Sequence, residues 1–176
     1  MHRNNTIRIC LIRLAIVIVM SLWMSVIFGF SAEEGSESQS LSDKITIHVV
    51  QIINQDYESL SLKEQEEFFN RVSFCVRKTG HFGEYAILGL LFAALLMTFE
   101  RIRINKRNMA VLAGAGLWCM FYAVTDEIHQ GFVDGRSPKI MDVGIDMLGG
   151  TAGAVFLILL WKFYKYIRIR RQKVTA

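Results

Sequence analysis

The chain has 176 residues, 52% of them hydrophobic, and a mean hydropathy of +0.32. That balance excludes an ordinary soluble domain. The net charge is +4, but the basic residues gather at the edges of apolar runs, which argues against a nucleic-acid partner. Cys10, Cys75 and Cys119 lie far apart without metal-ligand spacing and read as isolated thiols.

The first apolar run covers residues 14–30, "LAIVIVMSLWMSVIFGF", behind Arg3, Arg8 and Arg13. A spanning helix needs about 20 mainly apolar residues, with a range of roughly 17–25, and this run qualifies. A competing reading is a signal peptide cleaved after Ser31, since Gly29 and Ser31 are small.

Residues 31–79 are polar, with five basic and nine acidic side chains. "SAEEGSESQS" reads as a flexible acidic linker. From Ile45 onward, Val49, Ile52 and Ile53 recur at helical spacing. "SLKE" then places Ser61 three residues before Glu64, a capping box in which each side chain bonds the other's free amide. Leu62, Phe69, Val72 and Val76 form an apolar face after it. One or two amphipathic helices at the membrane's outer surface are expected here.

The second run, 85–99, reaches spanning length only if His81 and Glu84 are included. A short loop at 100–108 follows, with Arg101, Arg103, Lys106 and Arg107. The third run is 109–125 and the fourth 143–161, with Arg136 and Lys139 between them. The tail carries Lys162, Lys165, Arg168, Arg170, Arg171 and Lys173 beside Trp161 and Tyr164. Basic segments alternate with basic-poor ones, which predicts four spans with both termini in the cytoplasm. Within lipid every backbone amide must be bonded inside its own segment, so these are helices. The expectation is an all-α, multi-pass four-helix bundle. It comprises span one at 1–30, an extracytoplasmic segment at 31–79, a three-helix core at 80–161 and a basic cytoplasmic tail at 162–176.

This topology gathers ionisable groups from three distant segments at one depth. His81, Glu84 and Tyr85 lie near the outer end of the second span. Asp126, Glu127, His129 and Gln130 end the third, and Asp142 and Asp146 begin the fourth. Spacings of three and four put His81 with Glu84, Asp126 with His129 and Gln130, and Asp142 with Asp146 on shared helical faces. An ionised carboxylate at mid-bilayer costs roughly 2.5–3.5 kcal/mol on the lenient insertion scale, so Asp146 should either be protonated or face inward with a partner: Arg136, His129 or His81. "DGRSP" predicts a turn at Asp134 and Gly135 that brings Arg136 over Asp142 or Asp146, or over an anionic headgroup. Gly149, Gly150 and Gly153, with Gly114 and Gly116, predict close packing of the third and fourth helices.

"RKTGHFGEYAILGLL", "TDEIHQGFVDGRSP" and "DVGIDMLGGTAGA" together resemble the VanZ-like membrane proteins, over about residues 77–160. The resemblance maps onto His81, Glu84, Tyr85, Asp126, Glu127, His129, Gln130, Arg136, Asp142 and Gly149. Asp146 departs from it, at a position that is often asparagine. It implies a bacterial cell membrane, a Gram-positive host, and resistance to teicoplanin-type glycopeptides.

Three chemistries fit such a site. The first is binding of membrane lipid, a lipid-linked cell-wall precursor or a lipoglycopeptide, with Arg136 suited to phosphate or carboxylate. The second is an intramembrane hydrolase or transferase, with Glu127 or Glu84 as base, His129 or His81 as acid, and a metal held by His81, His129 and Glu127 if at all. "DEIH" is not a zinc motif. The third is proton or solute movement, which four helices support only as an oligomer. The cofactor, the ligand and the presence of catalysis stay open.

Overall fold

The computed structural model describes residues 2–33, 35–99 and 107–174. Among these the regular elements are five helices, α1 (His2–Ala32), α2 (Gly35–Ile53), α3 (Leu62–Met97), α4 (Arg107–Gln130) and α5 (Ile140–Val174), with a 3-10 turn at Tyr57–Ser59. Four of them, α1, α3, α4 and α5, are long and apolar enough to cross a membrane. Arg101, Arg103 and Lys106 of the expected basic loop lie outside the described residues, as do the side chains of Arg3, Arg107 and Lys173.

The segment between the first two spans differs from the sequence expectation. No flexible linker separates them: α1 runs through Ser31 to Ala32 and α2 begins at Gly35, with Glu34 outside the described residues. The segment contains no proline, and its glutamates and glutamine are good helix formers. Of the outer helices expected, α2 is separate, whereas the second is the opening of α3 itself. Ser61 caps α3 with the capping box, the Ser61 N–H donating to Glu64 Oε2 at 3.0 Å. From that cap the helix continues without a break through Gly80 and Gly83, so no interruption of the helix marks the boundary expected near residue 79. At about 1.5 Å per residue α3 is about 54 Å long, well beyond the roughly 30 Å of hydrocarbon.

The inward face of α2 is also not the expected one. Ser42, Thr46 and Val50, four residues apart, are its buried positions, while Ile52 is 79% exposed. Small side chains let α2 lie close on α3, and Thr46 Oγ1 donates to the Ser42 carbonyl at 2.8 Å. Ile47, Ile52 and Ile53 are left exposed on the other side of the helix.

Side-chain contacts fix the directions of the spans. Along α3, Lys78, His81, Phe82 and Ala86 meet Asp142, Asp146, Gly149 and Gly153 of α5 in that order, so the two helices run parallel. In contrast, Tyr85 and Phe92 of α3 meet Tyr122 and Trp118 of α4, an antiparallel pairing. α1 is antiparallel to α3 as well: Trp23 Nε1 donates to the Glu84 carbonyl, and Arg13 donates from Nε and Nη2 to Thr98 Oγ1 and its carbonyl, each at 2.9 Å. From Lys78 to Thr98 the rise is about 30 Å, one hydrocarbon thickness. The apolar interior holds Tyr85, Leu88, Cys119 and Ala123 toward one end and Ala93, Val111, Ala115 and Ala154 toward the other. Large apolar side chains such as Leu22, Phe121, Phe156 and Leu159 point outward, as lipid-facing positions do.

Candidate functional site

The α3–α5 seam builds the site's back wall. Where the helices enter the bundle, two charged rungs join them. Lys78 pairs with Asp142, and His81 Nδ1 stands 3.5 Å from Asp146 Oδ1. Asp146 is wholly buried and its carboxylate makes no hydrogen bond among the described residues, so the His81 imidazole beside it acts on it by charge alone. One turn further in, glycines replace the charges. A Cβ at Gly149 would run into the Phe82 backbone, and one at Gly153 into the Ala86 carbonyl. Gly150 touches Gly89 of α3 and the Cys119 side chain of α4. The α5 glycines therefore serve chiefly the contact with α3. The expected third-to-fourth helix packing is carried by Gly150 against Cys119 and by Gly116 against Thr151.

The turn between α4 and α5 holds the next group. Gly135 takes a positive φ of 73°, which suits a residue without Cβ, at the predicted Asp134–Gly135 turn. This turn aims Arg136 at α1 rather than at α5. Its Nη2 donates to the Phe30 carbonyl at 2.8 Å and its Nε to the Glu33 carbonyl at 3.2 Å. The expected pairing with Asp142 or Asp146 is thus replaced by a cap on α1. Helix-terminal carbonyls lack partners within the helix and carry partial negative charge, so a guanidinium belongs there. Lys78 takes the Asp142 carboxylate instead. Sequence reasoning passed over Lys78, although its place three residues before His81 and six before Glu84 puts all three on one helical stripe.

Glu127 is also turned to a structural task. Its Oε2 accepts from the Lys139 backbone N–H at 2.6 Å, holding the chain just ahead of α5. The other oxygen, Oε1, is buried without a partner. His129 packs on Phe28 of α1, with ring centroids 4.2 Å apart. Tyr85 is buried beside Tyr122, their centroids 6.1 Å apart, with its hydroxyl unpartnered. Among the described residues no three His, Cys, Asp or Glu side chains converge as metal ligands, and the His81, His129 and Glu127 set is not assembled.

The remaining predicted groups surround a partly open cavity of about 410 Å³. His81, Glu84, Asp126, Gln130, Arg136 and Asp142 line it, together with Lys78, Ser31 and Lys139. Ile27, Leu41, Ile45 and Val76 form an apolar side. Asp126 is 4% exposed; its Oδ2 accepts from Gln130 Nε2 at 3.3 Å, and its Oδ1 has no partner. Arg77, at the mouth, donates to Gln39 Oε1 of α2 at 2.9 Å. Six of the ten polar positions expected to converge thus share one cavity. Asp146 stands behind His81, and Tyr85, Glu127 and His129 do not line the cavity.

The family model for VanZ/LLP1 matches residues 16–162, which takes in the second half of α1 and the whole cavity. The chain belongs to the VanZ/LLP1 family. With four helices of spanning length, this VanZ/LLP1 member is a multi-pass membrane protein. The matched region begins within α1 and so includes part of the first span and α2 as well as α3, α4 and most of α5. Comparison with curated proteins and with solved structures returned no match.

Proposed function

We propose that this VanZ/LLP1 protein acts in the cell envelope by holding part of an amphiphilic envelope component in the cavity among α1, α2, α3, α4 and the start of α5. The observation that supports this is the cavity's mixed lining. Its volume of about 410 Å³ suits a small headgroup or peptide fragment, with apolar residues on one side and ionisable ones on the other. It opens where the spans begin, at the depth where headgroups lie. The basic residues of the tail and of the loop at 100–108 favour the cytoplasm for the far end, so the cavity faces outward. The biological setting implied by the family is tolerance to teicoplanin-type lipoglycopeptides, whose targets and acyl chains both reside at this surface.

The test is expression in a susceptible Gram-positive host, with teicoplanin and vancomycin susceptibility measured side by side. Tolerance to teicoplanin should rise, and Glu84→Gln, a cavity-lining change that touches no helix cap, should abolish the rise at unchanged membrane abundance. A Glu84→Gln protein as protective as the parent would count against the cavity as the functional site.

One observation favours a second, enzymatic reading. His81 stands on the cavity wall with Asp146 behind its Nδ1, an arrangement that orients an imidazole as a general base. Under that reading His81→Gln removes turnover of a lipid-linked substrate while leaving its binding intact. Loss of binding in step with turnover would speak against it.

A further inference from the structure

We propose that the cavity accepts a protonated primary amine carried by an amphiphile, with the Asp126 and Glu84 carboxylates as its acceptors. This rests on the reading that the cavity holds an amphiphile, and it adds the chemistry of the group received. Most of the cations around the cavity are already in use. Arg136 gives its hydrogen bonds to the end of α1, Lys78 is tied to Asp142, and Arg77 is tied to Gln39. An incoming phosphate or carboxylate would have to compete with these partners. Lys139 stands on the exposed mouth, where solvation weakens its pull on an anion.

The acids are in the opposite condition. Asp126 is 96% buried, lines the cavity, and leaves Oδ1 without a partner; its one bond is to a neutral amide. The neighbouring Ser31 hydroxyl is buried beside Asp126 and is the neutral donor in reach of it, though outside strict hydrogen-bond geometry. Glu84 lines the same wall with no hydrogen bond to its carboxylate among the described residues. The His81 imidazole on the same wall acts on both acids but is shared with Asp146, so the carboxylates outnumber it. A buried carboxylate short of counter-charge is unfavourable, and a donor-bearing cation removes that penalty. An ammonium brings three donors on one compact charge, enough for Asp126 Oδ1, Glu84 and Ser31 together. The apolar residues Ile27, Leu41, Ile45 and Val76 then receive the part of the amphiphile beyond its amine.

Two sources present such an amine at this depth, an aminophospholipid headgroup and the side-chain amine of a lipid-linked peptide. The full chain, reconstituted in nanodiscs of phosphatidylglycerol, is titrated with four probes. These are phosphatidylethanolamine, its N-acetyl derivative, a palmitoylated lysine peptide, and the same peptide acetylated on Nε. At least about a tenfold preference for the free amine over its acetylated counterpart is expected, the scale of one charged hydrogen bond. The arm in which it appears identifies the source. Asp126→Asn and Glu84→Gln should each erase the preference; should Asp126→Asn fail to fold by circular dichroism, Glu84→Gln carries the test. Equal binding of amine and acetylated forms overturns the inference and leaves the amphiphile reading standing, as does a preference that survives in the folded variants. If none of the four probes binds, the amphiphile reading fails and the inference with it.

Discussion

Arg136 and Lys78 exchange the roles that charge alone assigns them. The guanidinium closes the end of α1, and the lysine meets the first acid of α5. A cap of this kind contributes up to about 2 kcal/mol in a partly buried setting. Arg136→Ala should therefore lower the melting temperature of the detergent-solubilised protein, with a loss of about 1–2 kcal/mol, and should reduce membrane abundance. An unchanged melting temperature would show that the α1 cap contributes nothing. For Lys78, removing one partner strands a shielded charge, whereas removing both does not. The single change Lys78→Met should consequently destabilise more than the pair Lys78→Met with Asp142→Leu, and a thermal double-mutant cycle reads the difference. Additive losses would mean that the two side chains do not interact. Legibility was uneven among these side chains. The meeting of His81, Glu84, Asp126 and Asp142 at one cavity was expected from span direction and helical spacing. The target of Arg136 did not, because the carbonyls that it bonds are backbone atoms at a helix end, where the sequence suggested a flexible linker. His129 was misplaced for a related reason: spacing puts it with Asp126, but its ring settles on Phe28, a contact across 101 positions of sequence that periodicity does not encode.

Glycine positions decide how closely α3 and α5 approach. Gly149 and Gly153 rest on the backbone of α3, so any side chain there must push the helices apart. Separating them also pulls His81 from Asp146, because the charged rungs lie on the same seam. Gly153→Val should cost at least about 2 kcal/mol, as overpacking of a fixed contact does, and should lower the yield of folded protein. Gly144→Ala is the control: its Cβ would meet open space, and it should be neutral or slightly stabilising in the same assay. Equal behaviour of the two variants would remove the close seam from the account. The G-x-x-x-G spacing was plain in the sequence, but its partner was not, since small residues on α4 at Gly114 and Gly116 offered an equally good surface. The length of α3 was hidden differently. Gly80 and Gly83 resemble a break between an outer helix and a span, yet two glycines cost a long helix only about 1 kcal/mol each, and packing against α2 and α5 on either side offsets that.

The bundle as assembled has two ends of different character. At one end Arg13 closes α3 through Thr98 and stacks over Phe99, and α5 continues as a helix carrying Trp161, Lys162, Lys165 and Arg168. At the other end lie the cavity, the charged rungs and α2. The proposal depends on the second end facing outward. Two native cysteines report it without substitution. Cys75 is exposed on α3 beside the cavity, Cys10 is exposed on α1 beyond Arg13, and Cys119 is buried between them. Intact cells expressing the protein are treated with a membrane-impermeant maleimide, and the modified peptides are identified by mass spectrometry before and after permeabilisation. Labelling of Cys75 in intact cells, with Cys10 labelled only once the membrane is opened, is the predicted result. Labelling of Cys10 but not Cys75 in intact cells would turn the cavity to the cytoplasm and contradict the account.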